Sequence, residues 1–303
     1  MLSFSAQAKK ELCRQAIGRK CCALAEAYGI LLYCNAFRPK EIRIITESEA
    51  LKKRLPGLFH KAFDLKFDMV PEQKEGKGSF QIWDTEKLRI IFAQFGYEVD
   101  TAVALHVNFG VLEESHCRIS FLRGAFLAGG SVTAPEKGYH LELVTSHYNV
   151  SRETPALMQE AGFSVKTTIR NSNYVLYFKQ SDYIEDFLTA IGAPLAAMEI
   201  MNAKLEKNLR GSVNRRVNCD AANLDKVVAA AQEQIEAIQS LEARAGLDAL
   251  PDKLREAAHL RVIHPELTLS QLAELCDPPV TKSCLNHRLR KLMEYARGQV
   301  EKT

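Results

Sequence analysis

The sequence predicts an α+β protein in which a duplicated helix-and-strand unit precedes an all-α C-terminal region. Three observations carry this. The first two thirds of the chain hold a weak internal repeat, short strand patterns alternate with helical patterns in both copies, and compact helical patterns follow Pro251. Strands interleaved with helices in a repeated unit suit an α+β domain with a pseudo-twofold axis. The 303 residues suffice for about two domains. The expected divisions are 1–208 for the duplicated domain, with copies at about 20–100 and 118–195, then 209–249 for a linker and long helix, and 250–303 for the C-terminal domain.

The two copies run in parallel. Each opens with an apolar helix, CCALAEAYGILLYCNAF and RISFLRGAFLAGGSV, followed by a strand, EIRIITES and YHLELVTS. Each continues with a helix, EALKKRLPGLFHKAF and SRETPALMQEAG, and a further strand, SFQIW and YVLYFK. Each closes with an amphipathic helix, DTEKLRIIFAQFGY and SDYIEDFLTAIGA. Gly29 matches Gly124, and Phe95-Gly96 matches Ile191-Gly192. Small residues on the opening helices (Ala27, Gly29, Gly124, Ala125, Ala128) let two backbones approach closely, which suits the axis between the copies. The KEGKG segment around Lys77 reads as a turn, with Gly76 and Gly78 supplying positive φ. Trp83 lies in a strand pattern and reads as core rather than as a base-stacking platform.

Ala196 to Asn208 reads as a helix that RGSVNRRVNCD then breaks, Gly211 and the Ser/Asn cluster marking a linker. Asp220 is the expected N-cap of a helix running to about Arg244, closed by Gly246. A helix from Pro251 to about Ile263 carries Leu254, Ala258 and Val262 on one stripe, and Pro265 stops it. Thr268 and Gln271 form a capping box for a short helix with Leu269, Leu272, Ala273 and Cys276 as its apolar stripe. Pro278 keeps the connection DPPV out of helix. Thr281 caps a third helix running to about Arg297.

That third helix is two-sided. Leu285, Leu289, Leu292, Met293 and Ala296 share one face, and Ser283, Asn286, His287, Arg290 and Lys291 share the other. A short helix, a turn and a longer basic helix is the layout of a helix-turn-helix. Arg can bond guanine bidentately and Asn adenine, while Ser, Lys and the helix N-terminus can hold phosphate. The candidate DNA-binding residues are Thr268, Ser270, Gln271, Thr281, Lys282, Ser283, Asn286, His287, Arg288, Arg290 and Lys291. The competing reading is an ordinary three-helix unit with a basic surface.

The formal net charge of +3 does not announce a nucleic-acid binder, but the distribution is uneven. Five Lys/Arg face one Glu from Lys204 to Arg216, and again from Thr281 to Arg297. Such patches either meet phosphates or are solvated helix faces. Arg210, Arg215 and Arg216 accordingly have two readings: phosphate contacts, or capping and solubility of the linker. None of the eight cysteines sits in a C-x-x-C pair, and His106, His116, His140 and His147 lack metal-ligand spacing. No metal site and no cofactor are therefore expected. Without a recognisable signal peptide or spanning segment, the expected setting is cytoplasmic and reducing, with free thiols and no membrane partner.

The segments DPPVTKSCLNHRLRKL, RGSVNRRVNCDAANLDK and SFSAQAKKELCR resemble the WhiA family of Gram-positive bacteria, and the resemblance spans essentially the whole chain. It implies a LAGLIDADG homing-endonuclease-like domain fused to a helix-turn-helix. FLRGAFLAGGS reads against the LAGLIDADG pattern with Leu122, Gly124, Ala128 and Gly130 in register, and AYGILLYCNAF aligns through Gly29. In the nuclease family the axis helices each end in an acid that binds the catalytic metals. Those acid positions fall here on Cys34 and Gly129. Glycine supplies no ligand and a thiol suits hard ions poorly. The resemblance thus implies a nucleoid-associated regulator that binds double-stranded promoter DNA, without nuclease activity, acting in cell division, chromosome segregation and, in sporulating relatives, sporulation. Two other functions stay open at this point. One is an active homing endonuclease. The other is an adaptor whose first domain binds another regulatory protein while the helix-turn-helix tethers it to DNA.

Overall fold

Two helices with no continuous polar face organise the first part of the chain. A computed structural model describes residues 2–72, 76–98 and 104–298. These divide into two compact units, Met1–Asn208 and Leu209–Thr303. In the first unit, α1 (Phe4–Arg14) precedes α2 (Lys20–Tyr33), and the second copy opens with α5 (Ser115–Gly129). Ala25, Ala27, Tyr28, Ile30, Leu31 and Leu32 on α2 are all fully buried, as are Phe121, Leu122, Ala125 and Phe126 on α5. A helix without a polar face belongs inside.

The two helices meet backbone to backbone. A Cβ on Gly29 would lie 2.1 Å from the Phe121 carbonyl oxygen, and one on Gly124 would lie 2.0 Å from that of Glu26. The contacts are reciprocal, as the repeat requires: Glu26 stands to Gly29 as Phe121 stands to Gly124.

Each copy adds an antiparallel sheet. The first holds β1 (Ala36–Arg38), β2 (Glu41–Thr46) and β3 (Gly78–Ile82) in the order β1-β2-β3. The second holds β4 (Gly130–Val132), β5 (Leu141–Thr145), β6 (Lys166–Arg170) and β7 (Asn173–Phe178) in the order β4-β5-β7-β6. Alternation turns Ile42, Ile44, Phe80 and Ile82 inward in one sheet and Leu141, Leu143, Leu176 and Phe178 inward in the other. α3 (Glu49–Phe63) and α4 (Thr85–Gln94) complete the first copy, and α6 (Tyr148–Glu160) and α7 (Ser181–Ile191) the second. All of these helices and the four sequence-predicted strands stand where the repeat puts them. β1, β4 and β6 were not foreseen.

A buried ion network ties the first unit together. Glu26, 2% exposed, accepts from Arg54 Nε at 2.6 Å and Nη2 at 2.8 Å, with Arg123 Nη1 at 3.5 Å. Arg123 Nε donates to the Ile191 carbonyl at 2.6 Å, and Arg54 Nη1 to that of Cys13 at 3.3 Å. Carboxylate and guanidinium charges are tolerated at this depth because each finds several partners.

Four expectations need correction. Gly78 begins β3 without positive φ, whereas Gly76 does take φ +80°. Lys74 and Glu75 of the same turn lie outside the described residues. Trp83 is 52% exposed, because it follows β3 at the start of the turn into α4 rather than facing the core. The segment RGSVNRRVNCD does not break a helix: α8 runs unbroken from Pro194 to Ala245, so Asp220 is helix interior and not a cap. One half-buried Gly, Gly211, disfavours a helix by only about 1 kcal/mol, which the flanking helix formers offset. On the helix after Pro251, Val262 is 39% exposed, and Ala257 and Arg261 take the buried places beside Leu254 and Ala258.

The crossing and the unbroken helix make opposite forecasts for one substitution. Gly124→Ala should destabilise the protein by about 1–3 kcal/mol through overpacking. Gly211→Ala, where the added Cβ meets only the end of Arg215 at 3.6 Å, should stabilise by about 0.5–1 kcal/mol. Urea midpoints that moved in the same direction for both would contradict the assignment.

Candidate nucleic-acid interface and the repeat axis

The second unit contains three helices after α8: α9 (Asp252–Ile263), α10 (Leu269–Glu274) and α11 (Lys282–Ala296). Their core joins Leu254, Ala257, Ala258, Leu272, Ala273, Cys276, Leu285, Leu289 and Leu292 with Ile238 and Leu241 of α8. The predicted capping box opens α10. Gln271 N donates to Thr268 Oγ1 at 3.4 Å, and Thr268 N donates to Gln271 Oε1 at 3.0 Å. Thr281 Oγ1 likewise accepts from Cys284 N at 3.3 Å at the start of α11.

Charged side chains on α9 brace the connections. Arg261, 2% exposed, donates from Nη1 to the Leu267 carbonyl at 2.9 Å and so holds the loop before α10. Glu256 accepts from the Asp277 amide at 2.7 Å through Oε1 and from Arg288 Nη1 at 3.0 Å through Oε2. One carboxylate thereby fixes both the turn and the helix that follows it. Val280 N adds a bond back to the Ala273 carbonyl at 3.0 Å.

These braces leave one face of α11 open. Lys282, Ser283, Asn286, His287, Arg290 and Lys291 are exposed, and Leu285, Leu289 and Leu292 opposite them are buried. Thr268, Ser270, Gln271 and Thr281 are exposed at the starts of α10 and α11. Arg288 differs from its neighbours, since its guanidinium is held by Glu256 and its side chain is only 12% exposed. Arg210, Arg215 and Arg216 are exposed on α8.

Cys34 and Gly129, which the resemblance aligns with the nuclease acids, lie at the C-terminal ends of α2 and α5. Cys34 follows α2, with its thiol 3.2 Å from the Leu31 carbonyl and 3.3 Å from that of Ala36. Burial pushes this thiol up to about 12, so it stays protonated. Gly129 is the last residue of α5, where a Cβ would lie 2.5 Å from the Val144 carbonyl oxygen. A cavity of about 460 Å³ beside Cys34 is lined by Lys9, Asn35, Glu47 and Lys77 among others. Burial lowers Lys9 to about 8.

Side chains that linear spacing leaves unconnected come together at the opposite end of the axis. One ligand atom from each of Cys21, Cys22, His116 and Cys117 lies within 4.8 Å of all the others. The four side chains come as adjacent pairs from two helices far apart in the chain, a pattern that short-range spacing cannot reveal. His106, His140 and His147 are not among them. No helix among the described residues is long and apolar enough to cross a membrane.

The fold and these sites define a two-part protein, a LAGLIDADG-like α+β unit followed by a helix-turn-helix. Two family models match it: the WhiA LAGLIDADG-like domain over residues 118–210 and the WhiA C-terminal HTH domain over residues 213–296. Among curated proteins, the "probable cell division protein WhiA" of Ruminiclostridium cellulolyticum is 36% identical, over 97% of each chain. The protein of the same name from Clostridium perfringens strain 13 is 35% identical, over 97% of this chain and 98% of its own. The full-length WhiA crystal structure from Thermotoga maritima is 26% identical and covers 99% of this chain and 100% of its own, with a TM-score of 0.59. The chain belongs to the WhiA family.

Glu256→Ala removes the acceptor from both Arg288 and the Asp277 amide. It is expected to destabilise the second unit by about 1–3 kcal/mol, read as faster hydrogen exchange of the α11 amides. Unaltered exchange would deny Glu256 its bracing role.

Proposed function

We propose that this chain is a sequence-specific, nuclease-inactive DNA-binding regulator that acts on promoters. The observation that carries the reading is the open face of α11. Ser283, Asn286, His287 and Arg290 there are exposed, next to Lys282 and Lys291 and to helix-terminal N–H groups. In the groove, Arg290 would address guanine and Asn286 adenine, with Ser283 and His287 as further base-facing groups. Lys282, Lys291, Thr268, Ser270, Gln271 and Thr281 would fix orientation on phosphates, as would Arg210, Arg215 and Arg216 on α8. Arg288 serves this function indirectly, by keeping α11 in place through Glu256.

The name shared by the relatives supports a role in cell division, and the family resemblance extends it to chromosome segregation and sporulation, with association to the nucleoid. The absence of nuclease activity rests on Cys34 and Gly129. A protonated buried thiol and a glycine supply no carboxylate for a hard divalent ion, and two lysines line the cavity beside Cys34.

Asn286→Ala combined with Arg290→Ala should abolish discrimination between target and random duplex in a fixed-salt titration. Retained discrimination would remove α11 as the reading helix. Lys282→Ala should weaken binding to every sequence and reduce the slope of log affinity against log salt by about 1. In a nicking assay with magnesium or manganese, neither the native chain nor the Cys34→Asp, Gly129→Asp double variant should cut. The second carboxylate would have to grow from a Cβ that collides with Val144. Metal-dependent cleavage that copurified with the native chain would overturn the nuclease-inactive reading.

A further inference from the structure

We propose that Cys21, Cys22, His116 and Cys117 form a zinc site that clamps the N-terminal ends of α2 and α5 and so cross-links the two copies of the repeat.

The first observation is the convergence itself. Cys117 is buried, Cys22 and His116 are half-buried and Cys21 is exposed, yet one ligand atom from each lies within 4.8 Å of all the others. His116 Nδ1 is 3.4 Å from Cys22 Sγ and 3.2 Å from Cys117 Sγ. A tetrahedral zinc ion with Zn–S bonds of about 2.3 Å sets its ligand atoms about 3.8 Å apart. The two His116 separations fall under that spacing and no separation exceeds it by more than about 1 Å, so side-chain rotations close the shell. Three thiolates and one imidazole are a ligand set of structural zinc, and soft donors of this kind select against magnesium and calcium.

The second observation is symmetry. The residue shift that carries Gly29 onto Gly124 also carries Cys21 onto His116 and Cys22 onto Cys117. The four groups are thus two equivalent pairs facing each other across the pseudo-twofold axis, each two helical turns before the glycine crossing. That crossing brings the two helices close enough for both pairs to reach one ion.

The third observation is access. Each pair lies in the first turn of its helix, at the open end of the axis. An open cavity of about 400 Å³, lined by Cys22, His116, Ser115 and Arg123 among others, gives an ion a path from solvent. This zinc would be structural: all four positions are filled by protein atoms, and the site lies at the end of the axis helices opposite Cys34 and Gly129.

The test uses the full chain, purified without an affinity tag and under reducing conditions. Elemental analysis should find one zinc per chain. After chelation, titration with cobalt(II) should saturate at one equivalent and give the intense visible bands of tetrahedral thiolate coordination. Cys21→Ser, an exposed position where folding is not at risk, should weaken cobalt binding at least tenfold and blue-shift the bands. Cys117→Ser should do the same where it folds. Cys219→Ser and Cys284→Ser, at exposed cysteines elsewhere, should change neither. Chelation should lower the Tm of the native chain by more than that of Cys21→Ser. The proposal fails if zinc-supplemented protein retains no metal, or if the cobalt spectrum of Cys21→Ser equals that of the native chain. It fails equally if mass spectrometry finds these cysteines joined in a disulfide that forms as readily with zinc present.

Discussion

The structure of the first unit depends on one constraint, the direct contact of two helix backbones at Gly29 and Gly124. With no side chain between them, α2 and α5 pack at a distance that any larger residue would forbid. Everything placed by these helices inherits that closeness. Their first turns bring Cys21 and Cys22 against His116 and Cys117, and their C-terminal ends place Cys34, just after α2, and Gly129, the last residue of α5. The two sheets diverge from those ends, with β1 following α2 and β4 following α5 directly. The α3, α4, α6 and α7 helices cover the apolar faces that remain.

In the second unit the limiting element is charge rather than closeness. The helix-turn-helix is small and its α10 has barely two turns, so its own hydrophobic area is modest. Arg261 and Glu256 compensate by bonding to the connections that hydrophobic packing cannot hold. Arg261 fastens the loop ahead of α10, and Glu256 fastens both the proline turn and α11. The exposed basic face of α11 can therefore be rich in groups that contribute nothing to folding. Such a division of labour suits a surface shaped by a partner.

Much of this was legible in the sequence because the signals were periodic or local. The repeat showed through Gly29 and Gly124, whose role depends on a missing side chain and so admits no substitute. The Thr268–Gln271 box and the two faces of α11 were readable because capping and amphipathicity are properties of adjacent turns. The failures have equally physical causes. β1 and β4 have three residues each, too few for alternation to register, and every residue of β6 is exposed. Gly211 and its polar neighbours look like a linker, but exposed helix tolerates weak formers when no competing turn is stabilised. Arg288 could not be separated from Arg290 by residue type, because only the fold brings Glu256 to one of them. The four-residue cysteine and histidine cluster is a purely tertiary feature, and its one trace in the sequence is that it obeys the shift of the repeat.

The network of Glu26, Arg54 and Arg123 departs from that repeat, and the departure matters for assembly. The counterpart of Glu26 in the second copy is Phe121, so the carboxylate comes from the first copy alone while one of its arginines comes from the second. If two second copies paired with each other across the axis, their Arg123 side chains would be buried with no carboxylate between them. Two first copies would lack Arg123 altogether. The halves therefore look alike in outline but recognise each other as unlike partners: a first copy is matched to a second copy and not to its like.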